Sequence, residues 1–263
     1  MTTRWVDVFL DRPRADVDAA ASFWAHVVDG TPSPWRAGHT FTTLLPPDGD
    51  AYLRLQAVDR PEPRSGCHLD LQVADPAREA ERLGGVGAAV VSDEPGLVVL
   101  RSPAGLTFCL TPSADPPARW RPGPAGAPAS RVDQVTLDLP GSVFEPEREF
   151  WAAVTGWEQI GGSSGEFHVL RAPGWGSAPP EPGDGRQAGP PVRLLLQRLE
   201  EAVGPAGLHV DLACADRDAT VAEHVGIGAR VVGQGRRWTV LHDPTGATYC
   251  LTDRDPQTGL LPA

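Results

Sequence analysis

The chain has no lysine and no asparagine. All 23 basic residues are arginine, in a sequence of 263 residues with 34 acidic ones and a formal charge of −11. Both missing residues have AT-rich codons, so their absence points to a GC-rich bacterial genome and removes functional meaning from the arginine dominance. Nucleic acid is not expected as a partner, because binding a phosphate backbone depends on clustered cations that release counterions. No apolar run approaches the roughly 18 residues that span a bilayer. The opening residues, MTTRWVDVFLDRPRAD, lack the apolar core of a signal peptide, so a cytoplasmic protein with no membrane partner is expected. Cysteine is scarce as well. Cys67, Cys109, Cys214 and Cys250 form no CxxC pair, and a reducing cytoplasm would keep them as thiols.

What the sequence does contain is itself, twice. Residues 102–111 read SPAGLTFCLT and residues 243–252 read DPTGATYCLT, identical at six of ten positions and 141 residues apart. At the same offset, Cys67-His68-Leu69-Asp70-Leu71 is answered by Leu208-His209-Val210-Asp211-Leu212. Earlier in each half the offset is 127: Val8 and Leu10 match Val135 and Leu137, and Phe23-Trp24 matches Phe150-Trp151. The change from 127 to 141 requires 14 extra residues in the second half. They fall in 171–191, whose six prolines and five glycines exclude a regular element. A second segment, 112–130, also has six prolines and reads as a semi-extended linker. The expected organisation is therefore a first domain over 1–111, the linker, and a second domain over 131–254 with an inserted loop at 171–191.

Each half divides again. A strand over 6–11 is followed by a helix over 16–28, with apolar residues at helical spacing and Gly30 as its stop. Strand-like runs follow near 39–45 and 51–58. The pattern then restarts with a strand at 67–73, a helix capped by Asp75 with Pro76 in its first turn, and strands near 86–91, 97–101 and 106–111. In the second half, Ser142 and Glu145 stand at capping-box spacing, and Asp216 is positioned to cap a helix over 217–225. Strand, helix and three strands, repeated, predict an α+β fold of mixed sheets that bury one face under helices.

Alternation separates the two faces. Leu69, Leu71, Leu208, Val210 and Leu212 belong to the helix-packed side, with Phe108, Leu110, Tyr249 and Leu251. The opposite side receives Asp7, Phe9, Asp11, Gln56, His68, Asp70 and Cys109 in one half, and Gln134, Thr136, Asp138, Gln197, His209, Asp211 and Cys250 in the other. Each half thus presents a His, acids or amides and a Cys to one surface. The two cysteines on it are also read as small buried hydrophobes, since free Cys is among the most buried residue types. The Phe-Trp pairs sit at apolar helical spacing and belong to the core. Trp35, Trp175 and Trp238 lie in loops or strand-like segments and are the residues placed to stack on an aromatic ligand.

These residues resemble the vicinal oxygen chelate superfamily, which includes glyoxalase, bleomycin-resistance and extradiol dioxygenase proteins, and in particular its glyoxalase-like branch. The resemblance is carried by Phe23-Trp24, Phe150-Trp151 with Gly156-Trp157, the segments around LRLQ and CHLDLQV or LLLQ and LHVDLAC, and the two PxGxxxCL endings. It implies tandem domains, each of two paired βαβββ modules curved around a pocket. It also implies metal positions, which fall on Asp7, His68 and Cys109, and on Gln134, His209 and Cys250. Only the middle His of each set keeps the residue type that metal-using members carry. Extradiol cleavage needs two His and a carboxylate, so that activity is not expected. The leading expectation is a small-molecule-binding protein without a required metal or other cofactor, taking an aromatic natural product or antibiotic as one ligand class. The alternatives are a lyase or isomerase of the glyoxalase type, using a divalent metal on Asp7, His68 and Cys109, and a non-catalytic regulatory or structural module with decayed pockets. Monomer and homodimer both remain open.

Overall fold

The computed structural model describes residues 3–47, 49–62, 64–114, 130–161, 165–173 and 190–262. Most of the Pro-rich linker and of the inserted loop lies outside these residues. Strand β1 (Trp5–Pro13) buries Val6, Val8 and Leu10 completely and turns Asp7, Phe9 and Asp11 to the other face. Helix α1 (Val17–Val27) covers the apolar side with Ala20, Phe23, Trp24 and Val27. A two-residue edge strand β2 (Thr31–Pro32), which the sequence did not suggest, precedes β3 (Phe41–Leu45) and β4 (Leu53–Val58). The second module follows as β5 (Cys67–Val73), α2 (Pro76–Gly84), β6 (Ala89–Glu94), β7 (Leu97–Arg101) and β8 (Thr107–Pro112). Together these strands form one eight-stranded mixed sheet in the order β2-β3-β4-β1-β5-β8-β7-β6.

The second half repeats the plan. Its elements are β9 (Ser130–Leu139), α3 (Phe144–Thr155), β10 (Glu158–Gly161), β11 (Phe167–Arg171), β12 (Arg193–Arg198), β13 (Gly207–Cys214), α4 (Arg217–Gly226), β14 (Arg230–Gln234), β15 (Trp238–His242) and β16 (Thr248–Thr252). The strand order β10-β11-β12-β9-β13-β16-β15-β14 matches that of the first sheet. In each sheet an antiparallel pair, β1/β5 or β9/β13, joins the two modules, and parallel pairs flank it. The fold is α+β with two curved, open sheets. No described helix is long and apolar enough to cross a membrane.

Local chemistry explains most boundaries. Asp75 accepts from the Arg78 backbone N–H at 3.1 Å, and Asp216 accepts from that of Ala219 at 3.0 Å, so both expected caps are formed. The expected capping box is not. Helix α3 starts from Val143, which leaves Glu145 one position too early to reach back, and its carboxylate instead binds Arg148 and Arg198. Strand β6 begins three residues later than expected because 85–88 form the turn after α2, with Gly87 at φ 108°. Its Val90 and Val91 are exposed, so the apolar run that suggested an earlier strand is not core.

One hydrophobic core spans both halves. The Trp24 ring meets Tyr249 of β16 at 5.3 Å, and the Trp151 ring meets Phe108 of β8 at 5.2 Å, so the first helix of each half packs on the last strand of the other. Polar groups are satisfied across the same seam. Asp243 Oδ2 accepts from Arg12 Nε at 2.7 Å and from Trp24 Nε1 at 2.9 Å. Glu147 accepts from Trp151 Nε1 at 2.8 Å and from the Ala104 backbone N–H at 2.7 Å. Tyr52 donates its hydroxyl to the Val132 carbonyl at 2.7 Å. Gly207 belongs to this seam too. A Cβ there would lie 2.3 Å from the Arg64 carbonyl oxygen, so only glycine lets the β4–β5 loop approach β13.

Candidate functional site

Strand register assembles a polar cluster on the helix-free face of each sheet. In the first half Asp7 lies opposite Asp70, Phe9 opposite His68, and Asp70 opposite Cys109. In the second, Gln134 lies opposite Asp211, Thr136 opposite His209, and Asp211 opposite Cys250. His68 Nδ1 donates to Asp11 Oδ2 at 2.7 Å, and His209 Nδ1 donates to Asp138 Oδ2 at 2.9 Å. A carboxylate can only accept, so it sets the tautomer and leaves Nε2 facing the remaining residues of the cluster. Asp70 Oδ1 lies 3.6 Å from Nε2 of His68, and Asp211 Oδ1 lies 3.1 Å from Nε2 of His209. Residues two apart on a strand lie about 6–7 Å apart along the backbone. Side-chain lean along the strand closes the gap.

The two clusters have diverged in how fully they satisfy themselves. In the second half Asp211 Oδ2 accepts from Thr136 Oγ1 at 2.9 Å and from Gln134 Nε2, while Arg193 Nε donates to the Gln134 amide oxygen at 2.8 Å. Burial would raise Asp211, but the charge and hydrogen bond of His209, with Arg254 and Thr136, hold its carboxyl below the usual range. In the first half the equivalents of Gln134 and Thr136 are Asp7 and Phe9. Burial raises Asp70, and His68 does not fully offset it. Burial pulls both imidazoles down, yet the surrounding groups win: Asp11 and Asp70 raise His68, and Cys250, Asp138 and Asp211 raise His209 well above its ordinary value. All four cysteines are free and buried. Burial pushes the Cys109 and Cys250 thiols up, and the neighbouring His209 partly offsets this at Cys250.

The first cluster opens into a cavity of about 490 Å³. Phe9 stacks on His68 with centroids 4.9 Å apart, and Phe41 meets Phe9 edge-on at 6.1 Å. Val58, Leu97 and Val99 supply further apolar wall, while Gln56, Cys109, Arg36, Arg60 and Glu62 bring polar groups to the same space.

The residues singled out from sequence are distributed as follows. Gln56, His68, Asp70 and Cys109 line the cavity. Asp7 stands behind it, with Oδ1 on Arg54 at 3.2 Å and Oδ2 on Gln72 at 3.0 Å. Gln134, His209, Asp211 and Cys250 converge in the second half, and Gln197 pairs in register with Asp138. Trp35 stacks on His39 at 4.2 Å and packs against the core, away from the cavity lining. Trp238 is half-exposed beside Phe167 at 6.5 Å. Trp175 lies outside the described residues. The sequence reading placed Asp11 and Asp138 on the correct face but gave them no role. Their equivalence at an offset of 127, alongside two equivalent histidines, was the available signal. Arg36 and Arg60, on the segments flanking β3 and β4, carried no such signal.

The donors also fit a divalent cation. His68, Asp70 and Cys109, and equally His209, Asp211 and Cys250, place one ligand atom each within 4.8 Å of one another. Asp70 Oδ1 is buried without a hydrogen-bond donor, as an oxygen awaiting a cation would be, whereas Asp211 Oδ1 has His209 Nε2 at 3.1 Å. The carboxylate behind each His is the usual outer support of a metal-bound imidazole. Asp70, rather than Asp7, stands with His68 and Cys109. Among the described residues neither cluster offers two His and a carboxylate.

The doubled βαβββ sheets and their paired polar clusters define a tandem vicinal oxygen chelate architecture. A family model described as the glyoxalase-like domain matches residues 7–111 and 134–252, and the chain belongs to that family. Solved structures agree at the level of fold. The 2,2',3-trihydroxybiphenyl 1,2-dioxygenase of Sphingomonas wittichii has a TM-score of 0.58 at 11% identity, covering 96% of this chain and 90% of its own. The 2,3-dioxygenase of Pseudomonas sp. KL28 has a TM-score of 0.58 at 12% identity, with 96% and 92% covered. A mutant 4-hydroxymandelate synthase from Streptomyces coelicolor has a TM-score of 0.53 at 14% identity, with 98% and 94% covered. No curated protein matches the chain.

Proposed function

We propose that the chain binds a small organic molecule in the first-half cavity, over the Asp11–His68–Asp70–Cys109 cluster, and that binding there needs no metal ion. The observation that carries this reading is the cavity itself. Its volume of about 490 Å³ falls in the range of ligand sites, and it combines apolar walls with a few convergent polar groups. Phe9 and Phe41 favour a ligand with an aromatic ring. An aromatic natural product or antibiotic is the ligand class suggested by the drug-sequestering members of the superfamily that the sequence resembles. The second-half cluster, bonded to itself through Gln134 and Thr136, serves as the structural counterpart. Val99 lines the cavity from β7, so Val99→Trp is expected to fill it. Quenching of tryptophan fluorescence by a panel of aromatic compounds should be seen in the wild type and be lost in this variant, with little change in melting temperature. Equal quenching in both proteins would remove the cavity as the binding place.

A second reading is a metal-dependent lyase or isomerase, favoured by the repeated His, Asp and Cys donors with an unpartnered carboxylate oxygen. His68, Asp70 and Cys109 would hold the ion, which would supply Lewis-acid polarisation of a carbonyl or an acidified water. Elemental analysis of untagged protein separates the readings. Stoichiometric zinc, nickel, manganese or iron that disappears in Asp70→Ala would establish the second and overturn the metal-free one.

A further inference from the structure

We infer that the first-half cavity selects organic anions, with the guanidinium groups of Arg36 and Arg60 receiving a carboxylate, sulfonate or phosphate on a ligand whose apolar part lies against Phe9 and Phe41. The inference rests on the cavity reading above and adds the charge class of the ligand.

Most charges around the cavity already have partners. Asp11 and Asp70 are both paired with His68, through Nδ1 at 2.7 Å and Nε2 at 3.6 Å respectively. Glu62 is held by Arg101 at 3.4 Å and by the Thr107 hydroxyl at 3.1 Å. Asp7, behind the wall, is paired with Arg54 at 3.2 Å. Two cavity-lining cations remain. Arg36 donates only to neutral hydroxyls, Ser33 Oγ at 3.0 Å and Thr43 Oγ1 at 3.1 Å, which fix its position without neutralising it. Arg60 lines the cavity and has no carboxylate partner among the described residues. The chain as a whole carries a charge of −11, so a cavity with two uncompensated guanidinium groups runs against its background.

The second half sharpens the contrast. There Arg254 is locked to Asp133 by two hydrogen bonds of 2.9 and 2.6 Å, while Arg193 is held by the neutral Gln134 amide oxygen at 2.8 Å. Arg254 near the second cluster is neutralised by a carboxylate of the protein, whereas Arg36 and Arg60 near the first are not. The guanidinium fork suits a planar or tetrahedral oxyanion, and Phe9, Phe41 and Val58 offer apolar wall in the same cavity. The unengaged amide of Gln56 adds a neutral donor in the same cavity.

Equilibrium dialysis of the full chain with naphthalene-2-carboxylate and with naphthalene-2-carboxamide tests this. The two probes share shape and apolar surface and differ in charge. The carboxylate is expected to bind about tenfold more tightly or better, the preference a charge-assisted hydrogen bond supplies. Arg36→Gln and Arg60→Gln should each shrink that preference, and the double variant should abolish it while retaining carboxamide binding. Both side chains are exposed and free of carboxylate partners, so the variants should melt as the wild type does. Equal binding of the two probes, or a preference that survives the double variant, overturns the anion inference and leaves the cavity reading standing. Binding of neither probe overturns both.

Discussion

Asp243→Ala is expected to destabilise the protein by about 3–5 kcal/mol, the cost of removing one partner from a buried ion pair. Arg12 and Asp243 have side chains that are 1% and 0% exposed, so Arg12 would keep its charge with no water to receive it. The same carboxylate serves Trp24, the Thr245 hydroxyl and the backbone N–H groups of Thr245 and Ala247. All of these donors lose their acceptor together. Burial alone would raise the Asp243 carboxyl, but Arg12 and these hydrogen bonds hold it below its ordinary 3.8. The stability it contributes is therefore fully present above that value and is lost as pH falls through the lower folded value. Guanidinium unfolding at neutral pH provides the measurement, and a cost under about 1 kcal/mol would contradict the assigned role.

His209→Ala should cost about 2–3 kcal/mol at neutral pH and should also change the shape of the pH–stability curve. The loss is smaller than for Asp243 because Asp211 keeps Thr136 and Gln134, and Asp138 is partly open to solvent. The folded imidazole is raised well above 6.5, so its contribution is complete below that pH and is lost as pH rises through the folded value. Wild-type stability should thus decline on the alkaline side, and the variant should show a shallower decline carried by His68, whose shift has the same sign. His224 acts in the opposite sense. Burial lowers it to about 4, so its contribution is present above 6.5 and fades as pH falls from 6.5 toward about 4. Unfolding curves from about pH 5 to about pH 9 separate the two limbs. Parallel alkaline limbs in wild type and variant would exclude His209 as their source.

The architecture was legible because duplication printed it twice. A single weak motif such as CHLDLQV says little, but its counterpart 141 residues later, in the same order among the others, marks the modules and the succession of their elements. Alternation then assigned His68, Asp70 and Cys109 to one face correctly, since side-chain period along a strand is a local property. Distances between strands are not local. Whether Asp7 or Asp70 joins His68 and Cys109 depends on Arg54 and Gln72 claiming Asp7, which no spacing reveals. The seam between halves was likewise hidden. Phe23-Trp24 read correctly as core, yet nothing in its helical spacing showed that the ring packs under the opposite half's last strand.

That seam settles which halves can mate. Two first halves in the observed relation would offer Ser102, the equivalent of Asp243, to Arg12 and Trp24, leaving a buried cation unanswered. Two second halves would bring Leu139, the equivalent of Arg12, against Asp243, leaving a buried anion instead. Only the unlike combination closes both accounts. At these two positions each half is complementary to the other and not to a second copy of itself.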